Sequence, residues 1–195
     1  IGVFDQNVVS YLELLRIPYT GCNPRGLTLS RDKGLAKKLM AYHRIPVPDF
    51  LVVPRGRKAR LPKRLHFPLI VKSLIYESSI GISQASVVDT DEKLKERVAF
   101  VHQSIGNAAI VEQYIEGREI YMGVVGNSPP VALPPVELDL SHLPKGTPRI
   151  AGTEVKWDEG TRAYRGSKVR IPKLPKPVLE TMERYALTAF QALGL

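Results

Sequence analysis

Apolar residues recur at helical spacing near the start of the chain. This spacing predicts a helix over residues 6–16 and, after turn-rich residues 18–26, a second helix over residues 30–43. Thr28 or Ser30 is the expected cap of the second helix, because a hydroxyl oxygen there can accept a hydrogen bond from a free backbone N–H.

Short apolar segments then predict extended structure. Strands are expected over residues 49–53, 67–74 and 84–88. A third helix should follow a cap at Thr90 or Asp91, because its inward positions are apolar and its outward positions are charged.

The second half of the chain shows weaker patterns. Strands are predicted over residues 109–115, 119–125 and 149–157. Residues 129–140 are interrupted by proline and are expected to form an edge strand at best. Residues 158–176 are polar. The apolar residues that mark a last amphipathic helix are Val178, Met182, Tyr185, Ala189 and Phe190.

The order of these elements predicts the fold class. Helices and short strands alternate irregularly, and strands often follow one another through short turns. This order favours antiparallel sheets with helices on one face, an α+β arrangement. The 195 residues suffice for one domain with a substantial core or for two small domains.

Composition indicates a soluble protein of a reducing compartment. Hydrophobic residues make up 44% of the chain and charged residues 24%, as in ordinary globular domains. No apolar run approaches the roughly 20 residues of a membrane helix. Cys22 is the only cysteine, so no disulfide can form within the chain. We therefore expect a cytoplasmic location without membrane insertion.

The net charge of +9 suits an anionic ligand. Many of the basic residues lie in residues 55–64, which we interpret as a solvated connection between two strands. A nucleic-acid-binding patch is the alternative for this segment. Aromatic residues, which would stack on bases, are not interleaved with these charges, so nucleic acid is an unlikely partner.

A lysine at the end of an apolar strand is the strongest chemical signal. Lys72 closes the run Pro-Leu-Ile-Val-Lys, and a loop containing Ser78, Ser79 and Gly81 follows it. An unpaired ammonium is costly to bury, so a lysine here suggests a fixed anion nearby. Backbone N–H groups of a small-residue loop can bind the same anion. Together these features predict a phosphate site.

Familiar phosphate and catalytic motifs are missing from the sequence. It contains neither the P-loop pattern nor the Rossmann glycine pattern, and it has no nucleophile elbow. What remains is a dispersed set. Lys33 lies at a helix start, Lys156 at the end of a predicted strand, and Glu112 and Glu119 flank a strand turn. Each of these residues alone could be structural.

Four segments together carry a resemblance to a known family. Residues 12–21 (Leu-Glu-Leu-Leu-Arg-Ile-Pro-Tyr-Thr-Gly) look like the close of an N-terminal domain, and residues 30–33 (Ser-Arg-Asp-Lys) like a characteristic helix start. Residues 67–83 look like a strand, lysine and Ser/Gly lid. Residues 110–119 (Ile-Val-Glu-Gln-Tyr-Ile-Glu-Gly-Arg-Glu) look like an adenine-binding strand. The set resembles the ATP-grasp superfamily and, within it, the D-alanine–D-alanine ligase-like carboxylate–amine ligases.

The resemblance implies an organisation in which two subdomains grip a nucleotide between antiparallel sheets and helices. Residues 1–27 would be the remnant of an N-terminal domain, residues 28–115 the lid subdomain and residues 116–195 the first part of the C-terminal subdomain. The family's magnesium ligands are expected beyond Leu195. We therefore expect this chain to be a fragment that contains no magnesium ligands of its own.

The resemblance also implies roles for individual residues at an ATP site. Lys33 and Lys72 would hold the α- and β-phosphates, and Lys156 would reach the γ-phosphate. Ser78 and Ser79 would fold over the β- and γ-phosphates. The implied catalytic residues are Lys72, Lys156 and Ser78.

At the other end of the implied site lie the residues for the nucleoside. Glu112 would face the adenine amino group, and backbone groups of Gln113 and Ile115 would read the edge of the base. Glu119 would hold the ribose hydroxyls, since a carboxylate can accept two hydrogen bonds from a diol.

The function implied by the resemblance is ATP-dependent joining of a carboxylate to an amine through an acyl phosphate. Trp157 stands where the family has a tyrosine, and Tyr76 stands where its lid has a glutamate. Both positions face the second substrate, which makes D-alanine doubtful and leaves an amino acid or peptide. The alternatives are a non-catalytic nucleotide-binding module and a basic nucleic-acid-binding domain.

Overall fold

A four-stranded antiparallel sheet organises the first half of the molecule in a computed structural model that describes residues 4–195. Its strands are β1 (Phe50–Val53), β2 (Leu69–Ser73), β3 (Val87–Val88) and β4 (Ala109–Gln113). The order across the sheet is β1-β4-β2-β3, so β4 lies between β1 and β2. The predicted strands over residues 49–53, 67–74 and 109–115 are thus confirmed as the centre of the fold.

Among the described residues, four helices belong to the same half of the chain. They are α1 (Asp5–Leu14), α2 (Pro24–Arg31), α3 (Lys33–Tyr42) and α4 (Asp91–Phe100), and a π-helical turn (Val101–Ile105) continues α4. A short 3-10 turn (Gln84–Ser86) precedes β3. Thr90 caps α4 by accepting a hydrogen bond from the Lys93 backbone N–H.

One face of the sheet packs against α4 and forms the core. The buried residues of this cluster are Val53, Leu65, Leu69, Val71, Val88, Leu94, Val98, Val101, Ala109 and Val111. Along β2 the odd-numbered residues are buried in this core, while Ile70 and Lys72 on the opposite face are only partly covered. Alternation along a strand therefore turns Lys72 away from the core.

The second half contains two small antiparallel sheets. The larger consists of β5 (Glu119–Tyr121), β8 (Val136–Asp139) and β9 (Lys168–Arg170) in the order β5-β8-β9, and the smaller pairs β6 (Val124–Val125) with β7 (Val131–Ala132). The helices of this half are α5 (Thr153–Lys156), α6 (Arg162–Gly166) and α7 (Lys176–Leu193). The predicted last helix is thus confirmed, and the α+β class holds for the described residues.

Three predictions of secondary structure were wrong at the N-terminal helices and at the prolines. Helix α2 begins at Pro24, within the segment interpreted as turns, because Asn23 accepts a hydrogen bond from the Gly26 N–H and proline fits the first helical turn. The cap of α3 is Asp32 rather than Thr28 or Ser30. Within residues 129–140, β7 does lie at the edge of the two-stranded sheet, but β8, which starts after the last proline, is the central strand of the three-stranded sheet and not an edge strand.

The basic segment 55–64 is exposed, as predicted, but it does not join two neighbouring strands. Because β4 lies between β1 and β2, residues 54–68 cross over from one side of β4 to the other. Ala59 and Leu61 pack against the core while the basic side chains point outward. The apolar residues therefore hold this crossover in place.

No helix among residues 4–195 is both long and apolar enough to span a membrane.

The proposed boundary between residues 27 and 28 falls inside α2. The division into three domains therefore stays a prediction.

A buried carboxylate holds the second sheet together. Glu137 on β8 is 3% exposed, and Arg118 and Arg170 both donate hydrogen bonds to it. These hydrogen bonds, first from Arg118 and then from Arg170, lower the pKa of Glu137 to about 2. The carboxylate therefore stays charged through the acid range.

Replacing Glu137 with glutamine should lower the Tm by at least about 4 °C at pH 7, because two arginines lose their buried counter-ion. Since the pKa of Glu137 falls from 4.5 to about 2 on folding, its stabilisation is full above pH 4.5 and is lost as the pH falls to 2. The Glu137→Gln variant should therefore lose less stability than the wild type as the pH falls from 4.5 to 2. Thermal melts across pH test this, with the exposed Glu180→Gln as the control.

Candidate active site

Lys33 is fixed at the point where α3 meets the end of β2. Asp32 caps α3 by accepting from the Leu35 N–H at 2.9 Å. The Lys33 backbone N–H donates to the Leu74 carbonyl at 3.2 Å, and its Nζ donates to the Tyr76 carbonyl at 2.6 Å. These bonds place the Lys33 ammonium beside the loop that follows Lys72, as the Ser-Arg-Asp-Lys helix start predicts.

Strand register brings Lys72 and Glu112 to the same face of the sheet. Lys72 pairs with Ile110, and Ile70 pairs with Glu112, so the two charged residues are diagonal neighbours on adjacent strands. The Lys72 Nζ lies 2.8 Å from Glu112 Oε2. The lysine that signalled an anion thus has one protein carboxylate beside it.

Within residues 4–195, Glu112 is the only carboxylate that forms an ion pair with the partly buried lysines Lys37 and Lys72. It is 3% exposed, and Lys37 Nζ lies 3.5 Å from its Oε1. That Oε1 is buried and has no hydrogen-bond partner. Burial, followed by the nearby Lys72 ammonium, lowers the pKa of Lys33, and burial also lowers the pKa of Lys37. Three ammoniums around one carboxylate make a strongly cationic site.

The serine loop, residues 76–82, crosses from this site to the second half of the molecule. Ser78 and Ser79 have positive φ values of 57° and 61°, so the backbone turns tightly there. The Ser79 hydroxyl donates to the Ala151 carbonyl at 2.6 Å, and the Trp157 indole N–H donates to the Ser78 carbonyl at 2.9 Å. The loop therefore bridges the two halves.

Lys156 ends a short helix and not a strand, so the prediction of a strand over residues 149–157 was wrong. The Thr153 N–H donates to the Ile82 carbonyl at 2.9 Å, and a Cβ on Gly152 would lie only 2.9 Å from the same oxygen. Contact with the serine loop therefore favours a compact turn over an extended strand here. The helix places Lys156 against the same cleft as Lys72.

The other end of the cleft contains Glu119 and the end of β4. The Tyr121 hydroxyl donates to Glu119, and burial together with this hydrogen bond raises the pKa of Tyr121. The Gln113 backbone N–H donates to the Asp49 carbonyl at 2.9 Å, and its side-chain amide donates to the Pro68 carbonyl. Gln113 can therefore offer a ligand its carbonyl but not its N–H.

All nine residues predicted for the site line one cleft of about 420 Å³. They are Lys33, Lys72, Ser78, Ser79, Glu112, Gln113, Ile115, Glu119 and Lys156. Residues as far apart in sequence as Lys33 and Lys156 thus meet in space. Which atoms of a ligand each residue binds stays a prediction.

The model of the family described as D-ala D-ala ligase C-terminus matches residues 39–195. This chain belongs to that family. The family's helices and antiparallel sheets form the ATP-grasp fold, which the described residues adopt.

Relatives of this family member cover nearly all of it. It is 31% identical to a D-alanine–D-alanine ligase from Desulforudis audaxviator over 97% of the chain and 59% of the relative. It is 33% identical to a D-alanine–D-alanine ligase from Desulfotalea psychrophila over 98% of the chain and 57% of that relative. The chain thus spans less than two thirds of the length of these relatives.

Solved structures support the fold of this family member. The D-alanine–D-alanine ligase from Coxiella burnetii matches 99% of the chain with a TM-score of 0.75 and 25% identity, and the chain covers 49% of it. The D-alanine–D-alanine ligase from Bacillus anthracis complexed with ATP matches the whole chain with a TM-score of 0.74 and 21% identity, over 57% of that protein.

Sequence reasoning missed Lys37 as a partner of Glu112, a residue of the cleft. Lys37 lies one helical turn after Lys33 on α3, and residues four apart share a helix face. That spacing could have identified it, but its contact with Glu112 depends on how α3 packs across the sheet. The hydrogen bonds of Thr153 and Trp157 to the serine loop had no sequence signal.

Magnesium ligands are a separate question from the nucleotide site. Among residues 4–195 no group of three or more His, Cys, Asp or Glu side chains is placed to hold a metal ion. Glu112 is engaged by two lysines and Glu119 by Tyr121. Glu77, the third acidic residue that lines the cleft, has its Oε1 4.0 Å from Arg31 Nη2. The described residues therefore do not fit a magnesium site, and no step is assigned to one.

The lowered pKa values of Lys33 and Lys37 predict how binding depends on pH. Their pKa values lie below 10.5 in the folded chain, so the unfolded chain binds more protons between the lowered values and 10.5. The unligated chain should therefore gain stability as the pH rises through that interval, whereas affinity for a phosphate ligand should fall there. Proton uptake on ATP binding, measured calorimetrically in two buffers, tests this. Lys33→Arg should move the loss of affinity to higher pH.

Proposed function

We propose that this chain is the ATP-binding part of a ligase that joins a carboxylate to an amine. The proposal is carried by the convergence of Lys33, Lys72 and Lys156 in one cleft that also contains Glu112 and Glu119. ATP carries about four negative charges at neutral pH, so a site for it needs several converging cations. Membership of a ligase family supports the same function.

The phosphate end of the proposed site consists of the lysines and the serine loop. Lys33 and Lys72 would hold the α- and β-phosphates. Their ammoniums already lie near each other, and few protein carboxylates neutralise them. Lys156 would approach the γ-phosphate from the second half of the molecule. Ser78, whose side chain is exposed in the cleft, would contact the phosphates together with the backbone of the loop.

The nucleoside end of the proposed site consists of carboxylate and backbone groups. Glu112 lines the cleft, and its carboxylate would accept a hydrogen bond from the amino group of adenine. The Gln113 carbonyl and the Ile115 backbone would read the edge of the base. Glu119 would accept from the ribose hydroxyls.

The proposed reaction has two steps. The γ-phosphoryl group of ATP moves to a carboxylate oxygen and forms an acyl phosphate, and an amine then attacks the carbonyl carbon and releases phosphate. In such transfers the protein mainly positions the groups and neutralises charge, which Lys72 and Lys156 would do here. The serine loop would keep water out. Trp157 and Tyr76 border the region of the second substrate, so we propose an amino acid or peptide without fixing it as D-alanine.

Calorimetric titration of the chain with ATP, GTP, adenosine and tripolyphosphate tests the nucleotide site. We expect ATP to bind more tightly than any of the other three. Adenosine lacks the phosphates, tripolyphosphate lacks the nucleoside, and guanine lacks the 6-amino group that would donate to Glu112. Equal affinities for ATP and tripolyphosphate would contradict the adenine and ribose assignments.

The ligase activity needs its own assay. Phosphate release in the presence of ATP and magnesium should be followed across a panel of amino acids and dipeptides, on the longest form of the protein that its gene encodes. We expect release with at least one pair of substrates. ATP binding without release by that form would favour a non-catalytic nucleotide-binding module instead.

A further inference from the structure

Arg97 on α4 is a buried cation whose partners are all neutral. It is 8% exposed, and it donates to the Gly81 carbonyl and, at 2.8 Å, to the Ser86 hydroxyl. Its guanidinium lies 4.3 Å from the centre of the Phe100 ring. Its Nε is buried without a hydrogen-bond partner. Within residues 4–195, no carboxylate forms an ion pair with it.

Stability alone does not account for an arginine at this position. A buried charge without a counter-ion is costly, and even well-paired buried charges can often be replaced by apolar residues without loss of stability. The buried neighbours on the same helix, Leu94 and Val98, are apolar. An apolar residue at position 97 would therefore suit this helix at least as well, unless the hydrogen bonds of Arg97 serve another purpose.

Those hydrogen bonds act on the end of the serine loop. Gly81 has a φ of +70°, a conformation that disfavours side chains. A Cβ there would lie 2.2 Å from Ile105 Cδ1 and 3.6 Å from Phe100 Cε1. Gly81 is thus packed closely against the end of α4 and the turn that follows it, while Arg97 holds its carbonyl.

Neighbouring residues of the serine loop are therefore attached to different parts of the molecule. Ser78 and Ser79 bond to Trp157 and Ala151 across the cleft, and the Ile82 carbonyl accepts from the Thr153 N–H, all in the second half. Arg97 attaches Gly81 to the half that carries Lys72. Any ligand that enters between the halves must disturb the contacts across the cleft, but it can leave the contact with Arg97 intact.

We propose that Arg97 is a positioning residue that fixes the end of the serine loop to α4, so that the loop backbone is held ready for phosphate. This inference rests on the proposed function, because the phosphate role of the serine loop belongs to it. Arg97 does not line the cleft, so it acts through Gly81 and the loop. Its loss should weaken binding through the phosphates and leave binding through the nucleoside unchanged.

The experiment compares Arg97→Met with Arg97→Lys by titration with ATP and with adenosine. We expect Arg97→Met to weaken ATP binding about tenfold and to change adenosine binding less than about twofold. Arg97→Lys keeps the charge and one possible bond to Gly81, so its loss should be smaller. Lys95→Met is the matched control, because Lys95 is exposed on the same helix. Gly81→Ala should weaken ATP binding as Arg97→Met does, because the added methyl group would displace the Gly81 carbonyl from Arg97.

A measurement without ligand separates this inference from the proposed function. Hydrogen exchange of residues 76–82 should be faster in Arg97→Met and in Gly81→Ala than in the wild type, with exchange of the central strand β4 unchanged. If the wild type binds no nucleotide, the proposed function fails while exchange still decides whether Arg97 anchors the loop. Unchanged exchange in these variants, or equal losses of ATP and adenosine affinity, would refute the proposal that Arg97 anchors the loop. Should Arg97→Met fail to fold, Arg97→Lys and Gly81→Ala give the same two readouts.

Discussion

Replacing Lys72 with methionine should weaken ATP binding about 100-fold. At an effective dielectric constant near 20, a lysine about 4 Å from a phosphate charge gains about 4 kcal/mol before desolvation. Glu112 already neutralises part of the Lys72 charge at 2.8 Å, so only part of that gain is available. A net loss of about 2.7 kcal/mol corresponds to 100-fold in affinity. Isothermal titration with ATP at constant salt measures the change.

The matched control for Lys72→Met is Lys38→Met. Lys38 lies on α3, but it is exposed and does not line the cleft. Its replacement removes one positive charge from the protein and should change ATP affinity less than about twofold, since exposed charges are screened over about 10 Å at 0.1 M salt. Because Lys72→Met also leaves the buried Glu112 without its nearer partner, folding must be checked by circular dichroism. A folded Lys72→Met variant that binds ATP within about threefold of the wild type would refute the phosphate assignment.

The central sheet and the residues of the cleft could be anticipated because their signals are local. Strands β2 and β4 are short apolar runs, and Lys72 stands out against the run that precedes it. The remaining cleft residues were placed by the resemblance of ordered segments, and no single motif would have sufficed. The cleft depends on strand register, which puts Glu112 diagonal to Lys72.

The incorrect predictions have identifiable physical causes. The signals for α2, an asparagine cap followed by proline, were present in the sequence but were interpreted as turns. By contrast, nothing local shows that Thr153–Lys156, within the predicted strand over residues 149–157, form a helix. The Thr153 N–H bonds to Ile82, which lies far away in sequence, and this tertiary contact overrides the strand pattern. Lys37 was likewise missed, and Arg97, a charged residue expected on the outward side of α4, is buried. The partners of both are known only once the helices are placed.

Magnesium should change the ATP affinity of this 195-residue chain by less than about threefold, and the chain should not transfer the γ-phosphate. Magnesium needs carboxylate or other oxygen ligands in addition to the phosphates. Within residues 4–195 no suitable group of side chains is present. Of the three acidic residues that line the cleft, Glu112 pairs with Lys37 and Lys72, Glu119 accepts from Tyr121, and Glu77 Oε1 lies 4.0 Å from Arg31 Nη2. In this chain the lysines would therefore neutralise the phosphates directly.

Titration with ATP in EDTA and in excess magnesium measures the first effect, and a phosphate-release assay with amino acids measures the second. The D-alanine–D-alanine ligase of Desulfotalea psychrophila, of which this chain spans 57%, is a suitable positive control for the assay. Magnesium-dependent phosphate release by residues 1–195 would place oxygen ligands for the metal within the chain. The metal would then be held by Glu77, or by Glu112 or Glu119 released from its present partner, and binding by either of the last two would make its assignment to adenine or ribose wrong.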